Sequence, residues 1–177
     1  MNFIQKHCLN QRLNGFIQKR KGEQTSIYTL KEANSICFFI TLDIADKLTE
    51  LVNYVSALEN KKTVIICYFN GKKLPENMEK SPILYTVSRK DISITGRVRE
   101  QVREKIFSQH YNIFIDMDTE TDLISLYLKS LPNADFRIGR NEKYYNYFDF
   151  TLCAGEQYNI KEYISNVEKY TSKLKGN

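Results

Sequence analysis

Four acids alternate at Asp116, Asp118, Glu120 and Asp122, directly behind the apolar run Tyr111-Asn-Ile-Phe-Ile115. Carboxylates in D-x-D spacing at the end of a strand have two uses in catalysis. One can attack a phosphoryl group while its neighbour handles the proton, and a pair can hold a divalent cation that neutralises developing charge. The same residues also have a purely structural use. Asp118 or Thr119 would cap a following helix, with the remaining acids in its first turn, where the helix dipole favours negative charge.

A second group is basic: Arg89, Lys90, Arg97, Arg99, Arg103 and Lys105, then Arg137 and Arg140. Guanidinium groups suit bidentate recognition of phosphate or carboxylate. Glu100 and Glu104 interrupt the group, which also fits a solvated helix surface. Several other chemistries lack their residues. The seven glycines are too widely spaced for G-x-G-x-x-G or G-x-x-x-x-G-K-[ST], so neither phosphate cradle can form. The only histidines, His7 and His110, form no H-x-x-x-H zinc pair. There is no G-x-S-x-G nucleophile elbow. An EF-hand loop fails because Thr121 stands where Gly is needed and Tyr127 where Glu is needed. The expected metal and cofactor content is therefore none.

The elements that must position these residues follow from the periodicity. Residues 2–21 predict a leading helix, with Leu9, Leu13, Phe16 and Ile17 at helical spacing and Lys6, Arg12, Lys19, Arg20 and Lys21 on its polar face. Ser35–Thr41 and Thr63–Phe69 are continuous apolar runs, the pattern of strands covered on both faces. Between them, Ile44, Leu48, Leu51, Val52, Val55 and Leu58 define an amphipathic helix. This strand–helix–strand unit implies parallel strands joined by a crossover. Further on come a strand at 83–88, a helix at 96–109 capped by Thr95, and a strand at 111–117. A short helix at 123–131 ends at Pro132. Strands at 134–138 and 147–152 alternate as half-exposed positions would, and a last helix covers 159–174. The expected fold is a three-layer α/β sandwich with a mainly parallel, Rossmann-like or flavodoxin-like sheet. It reads as a single domain at 35–177, preceded by an N-terminal helix and connector at 1–34.

Ligands in open α/β sheets bind beyond the carboxyl ends of the strands. Those ends are Thr41–Asp43, Asn70–Lys72, Ser88–Lys90, Asp116–Thr119 and Gly139–Asn141. The candidate ligand-binding residues are accordingly Asn70, Gly71, Asp116, Asp118, Arg137 and Arg140, with no catalytic residue assigned.

Apolar residues make up 42% of the 177-residue chain and charged residues 27%, an ordinary globular balance. No apolar run approaches the roughly 18 residues of a membrane span. The opening MNFIQKHCLNQ is polar where a signal peptide is apolar. Cys8, Cys37, Cys67 and Cys153 are scattered, as expected of reduced thiols in a cytoplasmic protein. The net charge of +5 permits an anionic partner. No base-stacking signature accompanies it, which argues against nucleic acid.

Several segments carry resemblances. The Asp116-x-Asp118 start resembles the nucleophile motif of haloacid-dehalogenase-like phosphatases, but Glu120 stands where that motif has Thr and no second acidic motif follows. Val87-Ser-Arg-Lys-Asp91 with Gly96, Tyr111–Met117, Ala134-Asp-Phe-Arg-Ile-Gly139 and Tyr147-Phe-Asp-Phe150 together resemble an uncharacterised family of small α/β proteins from Bacteroidetes, a domain of unknown function. That resemblance runs from about residue 30 onward and implies no activity. The stretch from Tyr111 to Gly139 also looks like part of the N-terminal, acceptor-side domain of lipopolysaccharide heptosyltransferases. Asn112 replaces the Asp of those enzymes, and their sugar-nucleotide domain has no counterpart, so the likeness implies the fold and not autonomous glycosyl transfer.

The reading that results is a non-catalytic module binding a small ligand, a phosphorylated one included, or a protein partner. One alternative is an enzyme acting on a phosphorylated or sugar-nucleotide substrate through Asp116 and Asp118. Another is a binder of anionic surfaces, nucleic acid or lipid, through the basic N-terminal helix.

Overall fold

A computed structural model describes residues 1–42, 45–58, 60–69, 81–118, 121–153 and 159–176. Among these residues, six strands form one sheet: β1 Ser35–Thr41, β2 Lys62–Phe69, β3 Leu84–Ser88, β4 His110–Asp116, β5 Asn133–Gly139 and β6 Phe150–Thr151. Their order is β3-β2-β1-β4-β5-β6, and every pairing is parallel. Among the described residues, five α-helices accompany the sheet: α1 Phe3–Lys21, α2 Ala45–Ser56, α3 Glu100–Val102, α4 Leu123–Ser130 and α5 Ile160–Lys175.

Side chains alternate across a strand, so each buried strand feeds two cores. Ile36, Phe38 and Ile40 of β1 face one way, with Ile65, Ile113, Ile115 and Ile138, and are covered by Leu48, Leu51 and Val55 of α2 and Tyr163, Ile164 and Val167 of α5. Cys37 and Phe39 face the other way, with Ile66, Tyr68 and Phe114, and are covered by Leu9 and Leu13 of α1 and Ile124 and Leu128 of α4. The chain leaves β1 through α2 on one face and leaves β4 through α4 on the opposite face. The direction of winding therefore reverses between the adjacent strands β1 and β4, which makes their carboxyl ends the switch point of the sheet.

Local chemistry explains most helix ends. Asn2 caps α1 by accepting from the Gln5 amide at 2.7 Å, and Asn159 caps α5 by accepting from Lys161 at 2.8 Å. No helix among the described residues is long and apolar enough to cross a membrane.

Three local expectations are corrected. Thr95 does not start a helix. Residues 93–97 form a turn closed by the Ile92–Val98 bridge, and Gly96 sits at φ 73°, the left-handed region that favours glycine. The turn packs on α1, where Gln5 Nε2 donates to the Ser93 carbonyl at 3.0 Å. Only α3, followed by one π-helical turn over Arg103–Phe107, remains of the expected helix. Second, β5 is buried rather than half-exposed, because β6 lies beyond it and helices cover both faces. Third, β6 has two residues instead of six, because Glu142–Tyr147 winds into 3-10 turns. Those turns bring the Phe148 ring over Gly139, where a Cβ would lie 2.3 Å from the ring, so only glycine fits there.

Candidate functional site

The carboxyl end of β4 carries a closed polar network. Asp116 and Asp118 are 2% and 8% exposed, and between them lies the ammonium of Lys129, 1% exposed. Lys129 Nζ is 2.9 Å from Asp116 Oδ2 and 2.9 Å from Asp118 Oδ2. Its remaining proton goes to Thr121 Oγ1. All three N–H bonds of the ammonium are therefore used. Asp118 also accepts from the Thr41 amide and the Thr41 hydroxyl, each at 2.7 Å, which ties β4 to the end of β1. Asp116 Oδ1 accepts from the Asp118 amide at 3.1 Å.

Electrostatics follow from this packing. Burial pushes the Asp116 carboxyl up to about 6; Lys129 pulls against that rise and Asp118 adds to it. Burial opposes the charge on Lys129, but the two carboxylates more than offset it and its pKa is raised. The D-x-D pair is thus held by an internal cation in the position a bound cation would need. Among the described residues, no cluster of three or more His, Cys, Asp or Glu side chains is arranged to hold a metal ion.

Above this network lies a cleft of about 550 Å³ lined by Thr41, Thr121, Asp122, Ser125, Asn141, Lys143 and Tyr144. Its size falls within the roughly 300–1,000 Å³ of small-molecule sites. Thr41 ends β1, Thr121 and Asp122 lead from β4 into α4, and Asn141, Lys143 and Tyr144 follow β5. The cleft therefore sits at the switch point. Its floor is stitched: Ser125 Oγ lies 3.2 Å from Thr41 Oγ1, which in turn donates to Asp118. Its far wall is fixed by the Tyr144 hydroxyl, which donates to the Thr121 carbonyl at 2.9 Å.

The expected site residues are placed differently from one another. Asp116 and Asp118 come together beneath the cleft but do not line it. Neither caps α4. Asp122 does, accepting from the Ser125 amide at 2.6 Å. Arg137 is not brought to the cleft, because its guanidinium is committed to the carbonyls of Lys129, Pro132 and Tyr147. Arg140 is buried, donating to the Met117 carbonyl at 3.0 Å, and lies over the Tyr163 ring. Asn70 and Gly71 lie outside the described residues. The basic group does not form one patch, since Arg89, Lys90, Arg97, Arg99, Arg103 and Lys105 are exposed whereas Arg137 and Arg140 are buried. On α1, Arg20 is engaged with Glu23 and Asp149.

Lys129, Ser125 and Lys143 were not singled out by spacing or motif. A signal for the first two does exist. In Leu123-Ile-Ser-Leu-Tyr-Leu-Lys-Ser130, Ser125 and Lys129 are four residues apart on a helix that is otherwise apolar up to its last residue, Ser130, so they share a face. A polar pair on the buried face of a helix that follows D-x-D calls for partners at the strand end. Lys143 carries no comparable signal.

Fold and cleft define an open, doubly wound α/β domain with an all-parallel sheet and a polar pocket at its switch point. Within that class, the chain belongs to the Family of unknown function (DUF6913), which it matches over residues 5–174. No curated protein and no solved structure gave a significant match.

Proposed function

We propose that this chain is a non-catalytic binding module that holds a small polar molecule in the switch-point cleft. One observation carries the reading: polar side chains from the ends of β1, β4 and β5 converge on a cleft whose floor is locked by the Lys129–Asp116–Asp118 network. A floor with its hydrogen bonds already made is pre-organised, which lowers the ordering cost of binding. An enzyme working through Asp116 and Asp118 would need those carboxylates exposed to substrate. Both are buried beneath the floor with Lys129 across them. Four free cysteines support placing the module in a reducing compartment, the cytoplasm.

The test is a thermal-shift screen with nucleotides, sugar nucleotides, phosphosugars and free sugars, followed by amide-resolved NMR titration of each hit. A ligand at a hundredfold its Kd adds about 2.7 kcal/mol of stability. For a chain of this size that is a rise of roughly 5–11 °C. The expected result is a hit that moves the amides of Thr41, Thr121, Ser125 and Asn141. A screen without hits, or hits that move only other regions, would overturn the reading.

A further inference from the structure

We infer that the cleft is built for an uncharged, hydroxyl-rich ligand, a sugar ring or polyol, and against a phosphate ester. This rests on the binding reading above and adds the chemical class of the ligand.

Proton accounting in the floor comes first. The Thr41 amide and the Lys129 ammonium can only donate to Asp118, and the Thr41 hydroxyl spends its one proton on the same carboxylate. Across the 3.2 Å between Ser125 Oγ and Thr41 Oγ1, Ser125 must therefore be the donor. With that proton spent, Ser125 Oγ has only lone pairs to offer. The Tyr144 hydroxyl is in the same position, its proton given to the Thr121 carbonyl. The Asp122 carboxylate is an acceptor in any case. Three lining groups thus ask for donors. Thr121 is the reverse: its Oγ1 accepts from Lys129, so its own proton is free to donate. A ligand that suits this set carries several O–H groups, each of which can donate to one neighbour and accept from another.

Charge comes second. In open α/β sheets, a phosphate commonly sits on helix N-terminal amides at the switch point. Here Asp122 has taken the Ser125 amide at 2.6 Å and set a carboxylate in the lining. A phosphate dianion offers only acceptors at neutral pH and would meet that carboxylate head on. Among the described residues, the one cation in the lining is Lys143, which is exposed and lies over the Tyr144 ring, 5.6 Å from its centroid. Asp122 is exposed too, so both charges are screened; the difference is that Asp122 is pinned in the lining by its bond to the Ser125 amide, whereas Lys143 is drawn onto the Tyr144 ring. An ammonium only donates and could not accept from the Thr121 hydroxyl, so the uncharged, hydroxyl-rich ligand fits the whole set best.

The experiment titrates the full chain by NMR with glucose, ribose and sorbitol, and in parallel with glucose 6-phosphate, ribose 5-phosphate and inorganic phosphate, at low and high salt. At least one free polyol is expected to move the Thr41 and Ser125 amides, with its phosphate ester about tenfold weaker at low salt and the gap narrowing as salt rises. Asp122→Asn keeps the helix cap, because Asn caps as well as Asp. It is expected to bring the ester close to its parent. Phosphates that bind the cleft as well as or better than the parent sugars would overturn the inference and leave the binding module standing. An unchanged ester-to-parent ratio in Asp122→Asn would also overturn it. If no polyol moves the cleft amides, the inference falls. The module falls with it only if the wider screen is silent too.

Discussion

Lys129 and Arg137 are two buried cations set back to back around the last turn of α4. Each is 1% exposed, and Arg137 donates to the backbone carbonyl of Lys129 itself. Their surroundings differ in kind. Lys129 meets two carboxylates, and its pKa is raised despite burial. Arg137 meets three neutral carbonyls and two ring faces, with its guanidinium carbon 4.3 Å from the centroid of Phe114 and 5.1 Å from that of Phe16. Burial, together with the nearby Arg20, lowers it to about 10. The difference teaches what each charge does. Neutralised by acids on β4, Lys129 fixes the floor of the cleft. Arg137 is a multidentate staple that joins α4, the Pro132 turn and the 3-10 turn before β6, and it can do so because a planar guanidinium spreads its donors over several acceptors.

The largest expected effect breaks the first environment. Lys129→Met strands two buried carboxylates and should cost about 3–5 kcal/mol in urea unfolding. Adding Asp116→Asn and Asp118→Asn to it should recover much of that loss, because the cost lies in unpaired charge. A single variant that loses under about 1 kcal/mol would show that the pair is not buried in solution.

Arg137→Leu comes next. It removes the donors to three carbonyls and should destabilise by about 2–3 kcal/mol, read from thermal and urea midpoints. Arg137→Lys should not rescue, since one ammonium does not reproduce the fork. Full rescue by Lys would mean that charge over the rings, and not the carbonyl staple, is what matters.

The smallest effect is a pH dependence that separates the two environments between pH 4 and 6. Asp116 holds its proton more tightly in the folded state, at about 6, than at its ordinary value of 3.8. Its contribution is fully present below the ordinary value and is lost as pH rises through about 6. Glu32, lowered by its bonds to Lys175 and Thr29, acts in the opposite sense. The clean measurement is therefore the difference between wild type and Asp116→Asn. That difference should decline with rising pH across the window, whereas Arg137 variants should show no such slope. A flat difference for Asp116→Asn would mean that Lys129 holds the carboxylate ionised throughout.

Much of the fold was legible because it rests on local signals. β1 runs over Ser35–Thr41, where the apolar run ends on both sides in polar residues, and α2 follows the three-and-four spacing of Leu48, Leu51, Val52 and Val55. The misreadings came where tertiary contacts overrode local pattern. Apolar Val98 and Val102 look helical, yet Val98 pairs with Ile92 in a turn that rests on α1. Of the site, the acids and the strand ends that bear them were legible, and Lys129 was not. Its role depends on α4 folding back over a strand that lies more than ten residues earlier in the chain.

By itself, then, the sequence determined the strands and most of the helices, the parallel crossover, and an acidic cluster at the end of a central strand. These follow from hydrophobic periodicity, which acts over a few residues at a time. Tertiary structure alone decided the order β3-β2-β1-β4-β5-β6, the position of its switch point, and the roles of the acids. Asp116 and Asp118 became a buried floor and Asp122 the cap facing the cleft, because a carboxylate buried at a strand end must find its counter-charge on another element. Which element arrives is set by how the helices pack across the sheet.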